Sequence, residues 1–268
     1  MPVNFYVPSP SLRFLIKRYV YYDINEKERM SFLPSGYPFL SINFGDEYMV
    51  YNKKHPGDCF KTHYFVGNTK TSYAVLPKGQ FKGLGIHFEP VALCQLLRLS
   101  LNEITDTAVP VDELRDKDYL PVIEKVIRIN DIPKCISTLE KFFLGKSLKS
   151  EIGIIEVDCA IDYLRKSRGN IHISDIADKL CISTRSLERK FMQYVGLTPK
   201  QFAKIIRLNG ILNLVGSAGI CKLTDIAYQF GYFDQMHFIK DFKSYIGENP
   251  ASFMPKPLPV SYKFNLVS

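Results

Sequence analysis

The first part of the chain is a succession of short apolar runs separated by turn-forming residues. The runs are rich in aromatic and β-branched residues, and clusters of Pro, Gly, Asn, Asp and Ser stand between them, which is typical of β-strands. The pattern predicts strands at residues 13–23, 38–44, 47–52, 62–66, 72–76 and 80–88. Short strands at such regular spacing favour a small barrel or sandwich.

Helical periodicity replaces this pattern after Glu89 and Pro90. Apolar residues then recur at helical spacing, and residues 119–130 and 133–144 are expected to form an antiparallel helix pair. Residues 145–150 are polar and have no apolar face, so we place a domain boundary there and expect domains at 1–148 and 149–268. The fold class predicted is α+β with two domains: a small N-terminal β-barrel or cupin-like domain with helices, and an all-α C-terminal domain.

The C-terminal domain contains an internal duplication. Residues 175–177 and 225–227 both read Asp-Ile-Ala, at an offset of 50. Past one inserted residue, five further identities follow at an offset of 51, and each copy ends in Gly-x-x-Pro-x-x-Phe. Such self-similarity at a fixed period indicates a repeated structural unit.

Each copy has the properties of a helix-turn-helix. In each copy an apolar stripe predicts the first helix. The stripe includes a small residue, Ala177 or Ala227, at the point where the second helix must approach closely. Ser183 and Asp234 are good N-caps for the second helix, and Gly231 supplies the backbone freedom of a tight turn. Residues 200–215 are expected to form a helix that holds the two units at one separation.

The outward positions of the second helices carry side chains of the types that can contact bases in the major groove, so we expect these helices to bind DNA. Arginine pairs with guanine, glutamine pairs with adenine, and methionine contacts the methyl group of thymine. Lys204 and Arg207 are further expected to contact phosphates. The predicted DNA-binding residues are Ser183, Thr184, Arg185, Glu188, Arg189, Lys190, Gln235, Met236, His237, Lys240 and Lys243.

Charge supports an anionic partner. The formal charge is +8 with a pI of about 9.0. Residues 152–268 hold 15 Lys and Arg against 10 Asp and Glu, whereas residues 1–151 hold 20 against 17. The shorter C-terminal part is therefore the more basic, as expected if it binds double-stranded DNA.

Other features of the sequence argue against competing classes. The six cysteines are scattered without a C-x-x-C pair, which predicts reduced thiols in the cytoplasm rather than a zinc knuckle or disulfide framework. The N-terminus has no signal-peptide pattern and no apolar run approaches 18 residues, so we expect a cytoplasmic protein that does not enter a membrane. His55, His63 and His87 stand alone, without the H-x-H of a metal-binding cupin. We therefore expect no metal, no cofactor and no enzymatic activity.

The duplicated region resembles the AraC/XylS family of transcriptional regulators. The resemblance rests on S-x-R-x-L-x-R-x-F and G-x-T-P-x-x-F between Ser183 and Phe202, and on the run from Ile226 to Lys243. It implies a DNA-binding domain that places two recognition helices in successive major grooves, usually in an activator that contacts RNA polymerase. This chain departs from the family in having Met236 where serine is usual, and Asn249 where threonine or serine precedes the proline.

The resemblance also implies a role for the N-terminal domain. In such regulators it commonly senses a small-molecule effector or forms a homodimer, often on a cupin-like barrel, and the run from Leu33 to Gly45 resembles the start of one such sensor group. Aromatic and polar residues that alternate on the strands are candidates for lining a ligand pocket: Tyr37, Phe39, Asn43, Tyr48, His63, Tyr73 and His87. The alternative is that these side chains only pack the barrel or face solvent.

Three other function classes compete with this interpretation. A DNA-repair enzyme with this type of DNA-binding domain needs an N-terminal zinc-binding cysteine cluster, yet no cysteine precedes Cys59. A cupin enzyme needs the histidine cluster that the chain lacks. A pure interaction protein would leave the paired basic helices unexplained.

Overall fold

Two antiparallel sheets form the N-terminal part of the molecule. The structure is a computed structural model that describes residues 3–25, 28–147, 155–218, 222–254 and 262. The strands in these residues are β1 (Val3–Tyr6), β2 (Ile16–Ile24), β3 (Met30–Phe32), β4 (Phe39–Asn43), β5 (Tyr48–Tyr51), β6 (Pro56–Phe60), β7 (Tyr64–Val66), β8 (Tyr73–Pro77), β9 (Phe81–Phe88) and β10 (Ala108–Pro110). One sheet has the order β1-β2-β9-β4-β7-β10, and the other has the order β3-β8-β5-β6.

Strand β9 shows how the sequence sorts residues between the two faces of the larger sheet. Leu84, Ile86 and Phe88 point to one face, where they join a fully buried core against helices. The alternate positions face the smaller sheet and include Gly83, where an added Cβ would lie 2.5 Å from the Tyr22 hydroxyl oxygen. The missing side chain of Gly83 makes room for the Tyr22 side chain between the two sheets.

Three helices cover the outer face of the larger sheet: α1 (Ala92–Leu97), α2 (Tyr119–Ile127) and α3 (Ile132–Ser147). Helix α3 extends three residues into the segment 145–150 that the sequence indicated as a polar linker. Lys146 explains the extension, because its ammonium pairs with Asp116 and Asp118 and lies over the rings of Tyr119 and Phe142. The boundary at 148/149 itself falls outside the described residues and stays a prediction.

The C-terminal part is helical throughout the described residues. Its helices are α4 (Ile155–Lys166), α5 (Ile173–Lys179), α6 (Thr184–Tyr194), α7 (Pro199–Ala218), α8 (Leu223–Gln229), α9 (Gln235–Ile246) and α10 (Pro250–Phe253). They share one apolar core, which extends from Val157 to Tyr262 and also takes in Leu33 and Val91 from the N-terminal part. Among the described helices, none has the length and apolarity that a membrane span requires.

The α+β fold with a β-rich N-terminal part and a helical C-terminal part is confirmed, and the strands form two facing sheets. Each of the six predicted strands is present with bounds shifted by a few residues, but four short strands were missed. Strand β6 begins with Pro56 and Gly57, which fit the turn-forming clusters between the predicted strands. It is an edge strand that pairs with β5, and proline is tolerated at such an edge because its missing N–H would face solvent.

Candidate functional site

The duplication corresponds to two helix-turn-helix units with the same backbone. The first unit consists of α5 and α6, and the second unit consists of α8 and α9. In the turns, the N–H of Ile182 donates to Ala177 O at 3.1 Å, and that of Tyr232 donates to Ala227 O at 2.9 Å. The residue before each of them, Cys181 or Gly231, has a left-handed backbone, with φ of 53° and 70°. The two turns therefore bend the chain in the same way.

A side-chain cap begins the second helix of each unit. The Ser183 hydroxyl accepts a hydrogen bond from the N–H of Ser186 at 3.1 Å, and a carboxylate oxygen of Asp234 accepts one from the N–H of His237 at 2.7 Å. Each cap satisfies an N–H group that the helix leaves without an intrahelical partner. Both predicted caps thus fix where these helices begin.

Helix α7 and the two units share one apolar core. Phe191 and Phe242, which occupy equivalent positions in the second helices, are completely buried in the shared core. Gly210 of α7 has a packing role, because a Cβ there would lie 2.7 Å from the Phe230 ring. The second unit therefore packs directly on the helix that follows the first.

The predicted DNA-binding residues lie on the outer surface of the two units. All of them are exposed except Lys190. Arg185 and Arg189 pair with no carboxylate in the described part of the chain. Lys190 is half-buried, and its ammonium lies 2.7 Å from Glu156 Oε1. Most of the set thus leaves its polar groups available to a partner.

Lys204 and Arg207, which have a predicted phosphate-binding role, are partly exposed and make polar contacts within the helical part. The ammonium of Lys204 lies 2.9 Å from Asp241 Oδ1 and 2.8 Å from the Ser244 hydroxyl. The guanidinium of Arg207 donates to Gly169 O at 2.8 Å and lies over a buried tyrosine ring. These contacts hold parts of the helical region together, and the predicted phosphate contacts of both residues stay a prediction.

Sequence reasoning missed a prominent surface residue, Phe233. It stands immediately before the cap of α9 and is 89% exposed. The sequence does show that the second copy has one more residue in its turn than the first copy, and that Phe233 stands at this insertion. Nothing in the hydrophobic periodicity distinguishes it from an inward-facing residue, and only the structure shows that it points into solvent.

The N-terminal part holds the C-terminal end of α6. The Asn68 side-chain amide donates to Val195 O at 2.9 Å, and the Thr105 hydroxyl donates to Gly196 O at 2.7 Å. Both hydrogen bonds are buried, so each satisfies a carbonyl that would otherwise be orphaned at the end of the helix. The first unit is therefore fixed to the N-terminal part by specific polar contacts.

A second set of contacts fixes the loop that carries Pro34 against the helices. The Tyr245 hydroxyl donates to Pro34 O at 2.6 Å. Gly36 has a φ of +79° and would bring a Cβ within 3.2 Å of the Phe202 ring. Arg165 of α4 forms an ion pair with Glu89 at 2.7 Å. The two parts of the molecule thus meet through apolar packing, hydrogen bonds and an ion pair.

A cavity that is partly open to solvent lies between the two sheets. Five of the seven predicted pocket residues line it: Tyr37, Phe39, Tyr48, Tyr73 and His87. The other two lie outside it. Asn43 holds the turn after β4, because its amide donates to Asp46 O at 3.0 Å, and His63 Nδ1 accepts from the Asn43 N–H at 3.1 Å.

The cavity lining is largely neutral. Burial, together with the nearby positive charge of Arg18, holds the pKa of His87 well below its usual value, so the ring is uncharged at neutral pH. Burial raises the pKa of Tyr22 to about 12. His87 Nδ1 is buried and has no hydrogen-bond partner in the described residues. No group of three or more His, Cys, Asp or Glu residues that could hold a metal lies in the described part of the chain.

Comparison with family models assigns both parts of the chain. Residues 176–255 match a family of helix-turn-helix domains (HTH_18). Residues 4–110 match a family described as a domain of unknown function (DUF6597). The first match begins at Ile176, within α5, and covers the rest of the first unit and all of the second unit.

Several curated relatives are named as transcriptional activators. The chain is 26% identical over 114 residues to the XylDLEGF operon transcriptional activator of Pseudomonas putida, which covers 40% of this chain and 36% of that protein. It is 40% identical over 63 residues to the HTH-type transcriptional activator RhaS of Citrobacter koseri. This match covers 24% of this chain and 22% of that protein. The chain spans about a third or less of the length of the curated relatives it matches.

Among solved structures, the fold is similar to that of ToxT from Vibrio cholerae. The likeness has a TM-score of 0.51 at 15% identity and covers 88% of this chain and 97% of that chain. A structure of ToxT bound to (E)-4-(8-methylnaphthalen-1-yl)but-3-enoic acid gives a TM-score of 0.52 at 14% identity. This likeness covers 87% of this chain and 96% of that chain. At these identities the likeness shows a shared two-part fold.

Proposed function

Because the chain belongs to the AraC/XylS family of transcriptional regulators, we propose that it activates transcription by binding specific sites on double-stranded DNA. In this proposal α6 and α9 are the recognition helices and enter successive major grooves. RNA polymerase is then a second partner, as expected of an activator. The proposal assigns no enzymatic step to the chain.

The pair of capped units in one core is the observation that carries this proposal. A recognition helix uses the residues at its N-terminal end to contact base edges. Both N-terminal ends are exposed and capped, and α7 joins them through a continuous apolar core. A fixed separation is what binding in two consecutive grooves of one DNA face requires, since those grooves are about 34 Å apart.

Selection of duplexes from a random pool by the full chain tests this proposal, followed by footprinting on the selected sequence. We expect two protected patches about 10 base pairs apart on one DNA face. We also expect the affinity to fall steeply with salt, because phosphate contacts release counterions. A pool that shows no enrichment would contradict the proposal, and a single short patch would contradict the docking of both helices.

We further propose that an effector in the cavity modulates DNA binding. Asn68 and Tyr37 both line the cavity and contact the helical part: Asn68 bonds to Val195 O, and the Tyr37 hydroxyl accepts from Arg165 at 3.3 Å. A bound molecule that moves either side chain would therefore change a contact of α6 or α4. The ligand-bound ToxT structure supports the view that this two-part fold accommodates an organic molecule.

The neutral, aromatic lining favours an uncharged ring-containing effector that hydrogen-bonds to His87 Nδ1. A thermal-shift screen of uncharged aromatic compounds against the full chain, with matched carboxylic acids as controls, tests this preference. Compounds that raise the Tm should also change the affinity for the selected duplex, and Asn68→Ala should weaken that change without preventing compound binding. Stabilisation by acids alone would contradict the assigned chemistry.

Homodimerisation through the N-terminal part is a separate proposal that sedimentation of the full chain tests.

A further inference from the structure

The second unit exposes two large apolar side chains beside the start of its recognition helix. Phe233 is 89% exposed, and Met236 is 75% exposed. Each leaves apolar surface in contact with water, which is unfavourable. Exposed apolar side chains that cluster at a functional surface indicate an apolar partner there.

Phe233 is the residue by which the second turn exceeds the first. Ile182 and Tyr232 occupy the same place, since each donates to the carbonyl of the alanine five residues earlier. The next residue in the first unit is already the cap, Ser183. In the second unit Phe233 comes first and Asp234 caps the helix. The insertion therefore adds one outward-facing ring without disturbing the shared backbone.

Met236 also differs in kind from its counterpart. Counted from the caps, Arg185 and Met236 are both the second residue of their helices. Both are exposed, so they take the same place relative to a groove that each helix enters. One unit therefore presents a guanidinium where the other presents a thioether chain with a neighbouring phenyl ring.

We propose that the second unit reads thymine 5-methyl groups through Phe233 and Met236, whereas the first unit reads guanine through Arg185. This inference rests on the proposed function. The thymine methyl is the one apolar group that base edges present in the major groove, whereas guanine presents two acceptors that suit a guanidinium. The two half-sites of the operator are then chemically different: the second requires thymine methyl groups, and the first requires guanine.

The surroundings of the two apolar side chains favour DNA over a protein partner. Gln235, His237, Lys240 and Lys243 are exposed on the same helix and supply hydrogen-bond donors and positive charge. Such a mixture suits a surface of bases flanked by phosphates. An apolar docking site for a protein would be expected to carry fewer cations at its centre.

Replacement of single thymines by deoxyuridine tests the proposal directly. Deoxyuridine keeps base pairing and removes only the methyl group. On the duplex selected by the full chain, we expect replacement of a contacted thymine in the second half-site to weaken binding about fourfold, which corresponds to ~0.8 kcal/mol for one buried methyl. Replacement in the first half-site should have no effect.

Variants then assign the discrimination to residues. In Phe233→Ala and Met236→Ala, we expect weaker binding to the thymine duplex and little remaining difference between thymine and deoxyuridine. Tyr228→Ala is the matched control, because Tyr228 is a similarly exposed aromatic residue (71%) that belongs to α8 and not to the proposed recognition helix. Tyr228→Ala and Arg185→Ala should both keep the preference for thymine in the second half-site.

The alternative outcomes are distinct. Equal binding of thymine and deoxyuridine duplexes, with both footprints intact, would overturn the methyl-reading proposal and leave DNA binding standing. Phe233→Ala with unchanged DNA affinity but reduced transcription by purified polymerase would overturn it in favour of a protein contact. Failure of the full chain to select any sequence would overturn this inference together with the proposed function.

Discussion

The two helix-turn-helix units share a backbone but differ in their turns, their outward faces and their support. The first turn holds a cysteine in a left-handed conformation, whereas the second holds a glycine and then an additional phenylalanine. The first unit presents arginines on α6, and the C-terminal end of this helix is bonded to the N-terminal part through Asn68 and Thr105. The second presents Phe233 and Met236, and its Tyr245 bonds to the Pro34 loop.

This difference shows that the duplicated fold constrains the buried positions much more than the exposed ones. Phe191 and Phe242 are identical and completely buried, because each fills space in a single close-packed core. Arg185 and Met236 are equivalent in position and share no chemistry, because no neighbouring residue restricts an exposed side chain. One unit can thus keep its shape while its chemistry diverges.

The largest effect is expected from the shared core. Phe191→Ala and Phe242→Ala should each lower the free energy of unfolding by about 3–5 kcal/mol, because each leaves a cavity in the same apolar cluster. Chemical denaturation of the full chain measures the loss, and Phe233→Ala is an exposed control that should change little. A large loss from one substitution and almost none from the other would mean that the two units have separate cores.

Next in size is the effect on base reading. Arg185→Ala and Arg189→Ala should each cost about 1–3 kcal/mol of specific binding and relax base preference in the first half-site. Titration against duplexes with single base changes in each half-site measures this. If base preference is lost equally in both half-sites, the arginines contribute only non-specific electrostatic attraction to DNA. The two units would then not differ in base reading.

A smaller effect is expected at the second turn. Gly231→Ala should destabilise the protein by about 1–2 kcal/mol, because a side chain disfavours the left-handed conformation, and its Cβ would also lie 2.3 Å from Asn170 Cγ. Thermal unfolding measures the change. Gly247→Ala is a useful comparison, because Gly247 is also left-handed but has open space around its Cβ position. An equal Tm for both variants would assign the whole effect to the backbone.

The smallest effect should have the opposite sign. Cys181→Gly should stabilise the first unit by about 0.5–1 kcal/mol, because relief of left-handed strain exceeds the added entropy of the unfolded chain. Cys181→Ala keeps the strain and should leave the Tm unchanged, which separates the backbone effect from loss of the thiol. Destabilisation by Cys181→Gly would mean that the first turn is not strained.

Much of the fold and part of the candidate site could be predicted from local patterns. The caps at Ser183 and Asp234 were recognisable because a short polar side chain before an amphipathic run has one common role. Strand β6 was not recognisable, because Pro56 and Gly57 suggest a turn unless a neighbouring strand supplies the pairing. The internal contacts of Lys204 and Arg207 were equally hidden, because their partners are 37 and 38 residues away along the chain.

The sequence by itself determined the two-part organisation, the duplication and the helices that carry it, because these follow from periodicity and capping within short segments. The tertiary structure alone decided which cations stay on the surface, which aromatic residues line the cavity, and that Phe233 points outward. It also decided that Asn68 and Tyr37 connect the cavity to the helical part. The physical reason is that exposure and long-range contacts depend on which distant surfaces meet, and no local pattern encodes that.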